Sequence, residues 1–366
     1  MNKLMHSTAI RIFLVCFCLS ISQIVFAHDS FEEPHSNDEN LSEETQFIKE
    51  RLNNMNAVID LRYTDYVGEK INNYTVRGKH ETEKLLARYS MYAGKIENEI
   101  YSRNLPDILK FIPIIESELK PNARSRSGAV GMWQFMKGTA KNYGLRINSK
   151  VDERKDSERS TEAALDYLTK LYDRFGDWSL AIAAYNCGPG NMRKAIKKSG
   201  GSRDFYVVSK YLKKETQNYI PKLIAAKYMM NYYHAYDIVP NFSEQLYFST
   251  SATKVHDKIG LEEIANTLDL ELEILHKMNA HFKKKYIPKS EKGYNVVLPA
   301  ESLHDFYVEY QPYKIKPEEH LAATLIVKKK PIVKKSLIAT AKRLERIKIL
   351  KIVSLDTNES VSAISE

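Results

Sequence analysis

The chain has 366 residues, 43% of them hydrophobic and 28% charged, with a formal net charge of +9. That is ordinary for a soluble globular protein and leaves room for one substantial domain plus smaller parts. Of three cysteines, Cys16 and Cys18 lie in an N-terminal apolar segment, so a chain without that segment keeps only Cys187. An intrachain disulfide is then excluded, no Cys/His zinc spacing exists, and the fold must rest on its own core.

Residues 1–27 read as an export signal. Lys3 and Arg11 form a positive start, Ile12 to Val25 is apolar, and Val25-Phe26-Ala27 places a small residue at the cleavage point. The apolar run is short for a membrane helix, which needs about 20 residues. Cleavage is the expectation and an uncleaved anchor the alternative. Neither Cys16 nor Cys18 follows Gly, Ala or Ser, which argues against a lipid-modified cysteine. Removing Lys3 and Arg11 leaves a charge of about +7, which suits an anionic partner. An exported protein meets cell wall and membrane surface before nucleic acid.

Residues 28–48 are acidic and poor in apolar side chains, and read as a flexible leader. Residues 49–105 form a helical, Tyr-rich extension with apolar stripes such as Leu85, Leu86, Tyr89, Tyr92 and Ile96. Residues 106–235 carry helical periodicity with sharp punctuation. Pro106 suits a first helical turn, and Pro113 starts or kinks a helix. Ser160 is the expected N-cap of a helix ended by Gly176, and Asp177 caps the next, Trp178 to Tyr185. Asn186 to Gly190 reads as a turn.

Residues 245–300 change to a small α+β unit. A β-like start at Leu246 and Phe248 precedes helical patterns at Leu261–Leu268 and Leu272–Met278, then a strand Tyr294–Leu298 closed by Pro299. In the tail, residues 311–366, twelve Lys or Arg between Lys314 and Lys351 face Glu318, Glu319 and Glu345. It reads as a solvated disordered segment, or more sharply as a tether to an anionic wall or membrane surface.

Glu116 ends an apolar run, Ile112, Ile114 and Ile115. Burial there disfavours the charged carboxylate and raises its pKa, so it would hold a proton near neutrality. A Glu at a helix end is more often a solvated charge, which is the reading for Glu118. Asp152, Glu153 and Asp156, beside Arg154 and Lys155, read as structural pairs or caps.

The surroundings of Glu116 form an ordered set: Glu116-Ser117, Ser127 to Met136 with Gly131-Met132-Trp133-Gln134 at its centre, Ala184-Tyr185-Asn186, and Glu215 to Lys222 with Tyr219. The set resembles the lytic transglycosylases of glycoside hydrolase family 23, and the longer stretch from about 51 to 300 resembles the membrane-bound lytic murein transglycosylase D group. The resemblance implies a mainly α fold: a lysozyme-like catalytic domain, a helical N-terminal extension, and a small α+β C-terminal unit. Within that unit Leu268 to Asn279 resembles part of a LysM wall-binding module, so the unit is either a glycan binder or a structural cap.

The resemblance also implies roles. Glu116 is the single general acid and base that cleaves the MurNAc–GlcNAc bond of peptidoglycan and yields 1,6-anhydro-MurNAc, without metal or organic cofactor. Tyr219 hydrogen-bonds that carboxyl. Gln134, Tyr185, Asn186, Ser117 and Ser125 contact the glycan strand, and Met132 and Trp133 form wall and core. One carboxylate suffices because the substrate supplies the nucleophile, whereas ordinary glycosidases use two. The alternatives are a goose-type lysozyme, in which water attacks, and a non-catalytic wall-binding protein. The basic residues cluster in a tail without a recognition motif, which argues against nucleic acid. The expected location is the periplasm or cell envelope.

Overall fold

The computed structural model describes residues 43–242 and 250–310. The signal at 1–27, the leader up to residue 42, Leu246, Phe248 and the basic tail lie outside the described residues. The chain divides into two compact units. In the smaller, helix α1 (Glu43–Asn53) buries Ile48 and Leu52. Those two lie one turn apart behind an acidic first turn, Glu43 and Glu44, which favours the helix N-terminus. Residues 43–48 are therefore helix, and the leader expected to run to 48 stops short of them.

The larger unit holds everything from Thr64 onward, together with residues 57–60. α2 (Asp65–Asn72) is capped by Thr64, whose hydroxyl accepts from the Val67 N–H. A wide turn follows, and α3 (Lys79–Ser102) spans 24 residues with Leu85, Leu86, Ile96 and Ile100 buried. The helical extension comprises three α-helices, separated at 54–64 and by a π-helical turn at Asn73–Arg77.

A tight turn at Asp107–Phe111 leads into α4 (Ile112–Ser117), with Pro113 in its first turn, where a missing N–H costs nothing. α4 ends abruptly because Glu118 and Leu119 both adopt positive φ (53° and 61°). A loop of isolated bridges, Arg124 to Val130 and Val130 to Phe135, precedes the short α5 (Lys137–Asn142).

α6 (Ser157–Phe175) starts three residues before the expected cap. Asp156 is the N-cap, its carboxylate accepting from the Glu158 and Arg159 N–H groups, and Ser160 donates back to the Asp156 carbonyl. A carboxylate at this position also meets the helix dipole, which a hydroxyl does not. Gly176 ends α6 at φ 62°, and Asp177 caps α7 (Trp178–Cys187). The turn expected over 186–190 is compressed into Gly188 alone (φ 83°), because Pro189 opens α8 (Pro189–Lys198) directly. α9 (Phe205–Ser209) and α10 (Lys214–Gln217) follow, and then α11 (Tyr219–Tyr232). α11 is buried along nearly its whole length and packs on α2, α4 and α7, which makes it the central helix.

The C-terminal part of this unit pairs β1 (Thr250–Val255) antiparallel to β4 (Tyr294–Pro299), and β2 (Ile259–Gly260) to β3 (Tyr286–Ile287). α12 (Leu261–Thr267) and α13 (Leu272–Met278) lie between, and α14 (Leu303–Tyr310) follows. Val255, Leu261, Ile264, Leu275, Val296, Leu298 and Phe306 form its core, joined by Val151 from the helical domain. Buried Asn279 satisfies both ends of its amide, donating to the Leu275 and Val297 carbonyls and accepting from the Val297 N–H. The structure is mainly α with this small strand-containing unit, as expected.

Candidate active site

Glu116 sits in the last turn of α4, where Ile112 and Ile114 anchor the helix in the core at 0% and 1% exposure. Its carboxyl lines a cavity of about 320 Å³. Behind it, Tyr219 at the start of α11 donates its phenol to Glu116 Oε1 at 2.5 Å. Burial pushes the Glu116 pKa up to about 7; the Tyr219 hydrogen bond and Lys222 pull it down, and Glu215 pushes it further up. The phenols of Tyr219 and Tyr185 are raised well above 10, by burial first and by the Glu116 charge second. The raised carboxyl thus stands against the Tyr219 phenol behind the cavity and near the Tyr185 phenol that lines it.

Ser125, Gln134, Tyr185 and Asn186 line the same cavity as Glu116. Tyr185 fixes the Gln134 turn by donating to the Trp133 carbonyl at 2.7 Å. Gln134 holds φ 48°, and its amide donates to the Gly131 carbonyl at 2.7 Å, leaving its carbonyl oxygen for another donor. Left-handed residues cost free energy and concentrate at functional sites. Glu118, Leu119 and Gln134 are three of them, all close in sequence to the cavity wall. Ser125 accepts from the Ala129 N–H and pairs with Ser127. Asn186 accepts from Thr216 at 2.7 Å, which ties α7 to α10.

Two of the residues named from the sequence stand off the cavity surface. Tyr219 lies behind the carboxyl at 4% exposure rather than on the cavity surface. Ser117 does not line the cavity; its hydroxyl donates to the Met132 carbonyl at 2.8 Å and so fastens α4 to the Gln134 turn. Met132 and Trp133 are fully buried in the core and do not line the cavity, and the indole donates to Thr161 at 2.9 Å.

The cavity also contains residues to which the sequence assigns no role. Tyr167 of α6 lines it, and its ring packs between Tyr143 and Tyr185 at 5.0 and 5.4 Å. It sits three residues after Ala164 and four before Leu171, on the edge of the apolar stripe, and that position is the one available hint. Glu215 lines the cavity as well. Asp152, Glu153 and Asp156 are structural: Asp152 pairs with Arg154, Glu153 with Arg146, and Asp156 caps α6. Among the described residues no group of three or more His, Cys, Asp or Glu side chains is arranged to hold a metal ion.

A buried glutamate at a helix end, its pKa raised to about 7, thus shares one cavity with a glutamine turn and an Ala-Tyr-Asn helix. Residues 95–208 match the Transglycosylase SLT domain, and residues 249–314 match the domain described as "Lytic transglycosylase MltD, LysM-like domain". The two matches follow one another along the chain in that order. Over 240 residues it is 32% identical to membrane-bound lytic murein transglycosylase D of Escherichia coli (strain K12), covering 64% of this chain and 52% of that protein. Over 116 residues it is 31% identical to the soluble lytic murein transglycosylase of the same organism, covering 30% of this chain and 18% of that one. The solved 70 kDa soluble lytic transglycosylase SLT70 from Escherichia coli aligns at 26% identity with a TM-score of 0.34, over 41% of this chain and 25% of that chain. The chain thus spans about half the length of the membrane-bound relative and under a fifth of the soluble one.

Proposed function

We propose that the chain is a peptidoglycan lytic transglycosylase with Glu116 as its only general acid and base. The observation that carries the reading is the 2.5 Å Tyr219–Glu116 hydrogen bond, at a carboxyl raised to about 7 and facing a sugar-sized cavity. Such a carboxyl holds a proton at neutral pH and can also give it up, which is what an acid that later serves as base requires.

The protonated carboxyl donates to the bridging oxygen of the MurNAc–GlcNAc bond as the C1–O bond breaks. Positive charge develops at C1, and the MurNAc 6-hydroxyl attacks there. Glu116, now a carboxylate, takes the hydroxyl proton, so 1,6-anhydro-MurNAc forms and the enzyme returns to its starting state without consuming water. Gln134, Ser125 and Asn186 supply polar groups for N-acetyl and hydroxyl substituents, and Tyr185 and Tyr167 supply flat apolar wall for sugar rings.

Glu215 in the same cavity supports the second reading, a goose-type hydrolase in which a second acid activates water. Digestion of purified sacculi by the wild type, Glu116→Gln and Glu215→Gln, with the sugar ends identified by mass spectrometry, separates the two. Anhydro-MurNAc ends that disappear in Glu116→Gln and persist in Glu215→Gln fit the transglycosylase. Reducing ends lost in both variants would establish the hydrolase. Wild type that sediments with sacculi and cuts nothing would leave a wall-binding protein.

The matched domains and the N-terminal sequence support export to the periplasm or cell envelope, and the basic tail supports association with an anionic surface there. Among the described residues no helix is long and apolar enough to cross a membrane. The LysM-like unit is bonded to residues 146–158 of the catalytic domain, which supports a structural cap at least as much as a free glycan-binding module.

A further inference from the structure

Next to the catalytic cavity lies a larger recess of about 740 Å³. The two share Asn186, Cys187 and Glu215, so they are neighbouring parts of one cleft. The recess is rimmed by Lys194, Lys197 and Lys198 of α8 and by Lys213 just before α10. Tyr211, half exposed, forms part of its apolar wall. All four lysines are exposed, and none forms an ion pair with a carboxylate among the described residues.

Two of the four have a local reason to be there. Lys197 and Lys198 stand in the last turn of α8, where cations offset the helix dipole. Lys194 is in the middle of α8 and Lys213 is on another segment, so the dipole explains neither. The wider segment, residues 191–215, holds eight Lys or Arg against Asp204 and Glu215. Concave walls of one sign concentrate the potential and raise the local concentration of an opposite charge. Glu215 lies on the catalytic side of the recess, so an anion is drawn to the lysines and repelled from Glu116.

We propose that this recess is a subsite for the carboxylates of the acidic peptides that peptidoglycan carries on MurNAc, and that it makes the enzyme prefer peptide-bearing strands. The inference rests on the transglycosylase reading, because the cleft must hold the glycan for its peptide to reach the recess. Sugar rings occupy the Glu116 cavity, the peptide turns aside at Asn186, and its carboxylates meet Lys194 and Lys213 while its stem lies on Tyr211. Side chains with solvated charges contribute through reach and number rather than depth, so the preference weakens as salt rises.

The test compares soluble glycan strands in two forms: native, and with the peptide carboxylates converted to amides by carbodiimide and ammonia, which removes charge at nearly constant size. The wild type should show a KM about tenfold lower on native strands, with kcat within about twofold, since two such contacts together account for a factor of that order. Lys194→Gln/Lys213→Gln should bring the two KM values together. Lys170→Gln/Lys284→Gln removes equal charge from exposed positions outside the recess and should keep the difference. Equal KM values for the wild type on both strands would overturn the subsite, and loss of the preference in the control variant would reduce it to general attraction. If the wild type cuts neither strand, the transglycosylase reading fails by itself. Calorimetric titration with the released peptide then still decides the recess: binding lost only in Lys194→Gln/Lys213→Gln upholds it, and no binding to the wild type sinks it. All four positions are exposed, so the variants should match wild-type circular dichroism.

Discussion

Replacing Glu116 with Gln should make the protein more stable as well as inactive, and the gain should depend on pH. An unfolded Glu titrates near 4.3. In the folded protein burial raises Glu116 to about 7. Between those values the folded state keeps a proton that the unfolded state releases. Stability is therefore fully present below the unfolded pKa, declines as pH rises through the window, and levels off above about 7. A tenfold difference in proton affinity between the folded and unfolded states is worth about 1.36 kcal/mol, so the decline approaches about 4 kcal/mol, and water in the open cavity brings it nearer to about 2 kcal/mol. Gln has nothing to titrate, and its carbonyl oxygen still accepts from Tyr219.

Urea unfolding of both proteins from pH 4.5 to 8.5 measures this, with the slope m checked for constancy. Burial raises Asp156 and Glu158 to about 7 as well, so the wild-type curve alone mixes three groups. The difference between the two proteins isolates Glu116. It should grow by about 2 to 3 kcal/mol from the acid to the alkaline end. A difference that stays flat with pH would mean that Glu116 is an ordinary solvated carboxylate, and the acid–base reading would fall with it.

Three further outcomes follow from named contacts. Tyr219→Phe removes the donor that favours the charged form, so the alkaline limb of the pH–rate profile should move up by roughly one pH unit while kcat falls; an unmoved limb refutes the coupling. Gly131→Ala would place a Cβ 1.7 Å from the Arg154 carbonyl at a backbone φ of 90°, so thermal unfolding should reveal a loss of about 2–4 kcal/mol together with lost cleavage. Arg146→Ala leaves the fully buried Glu153 without its cation and should destabilise by about 3–5 kcal/mol, with faster amide exchange in β3 and β4 before the α6–α7 core. Uniform exchange across both regions would refute that order.

Much of the fold is legible in the sequence because its signals are local. Pro113, Gly176 and Asp177 act within one turn of themselves, and the structure places each at a helix end. Glu116, Gln134 and Tyr219 stand out by motif, and the chain brings all three to one place across 103 residues of separation between Glu116 and Tyr219. Where sequence and structure part, the cause is shared. Ser160 and Asp156 are both good caps, and the sequence cannot say which one meets free N–H groups. Gly188 and Pro189 together signal a turn, yet a positive-φ glycine followed by a proline in a first turn lets two helices meet with almost no loop. Ser117, adjacent to Glu116, reads as a ligand contact until its hydroxyl is seen bonded to the Met132 carbonyl. Glu215 opens the last motif segment without a role assigned to it, and Tyr167 lies outside every motif; packing of α10 and α6 brings both to the cavity.

The segment from Arg146 to Asp156 reads in sequence as charged pairs and caps, and its consequence is larger than that. Val151 enters the core of the LysM-like unit and bridges to Phe282. Glu153 holds Arg146, whose guanidinium reaches the Gly293 carbonyl at 2.7 Å and lies on the Tyr294 ring at 3.7 Å. Between them, Asp152 grips Arg154 through both oxygens, and Arg154 donates to the Gly128 and Phe135 carbonyls on either side of the Gln134 turn. Asp156 then caps α6, which carries Tyr167 into the cavity. Successive side chains of one short segment thus bind the C-terminal unit and the cleft wall in alternation. Arg154 is 6% exposed and Glu153 fully buried, so neither contact can be released without leaving a charge unpaired in the interior. A buried ionic network of this kind is weak as a source of stability and strong as a source of register. Here the register it sets is that of the Gln134 turn, which makes the C-terminal unit part of the frame that holds the cavity wall.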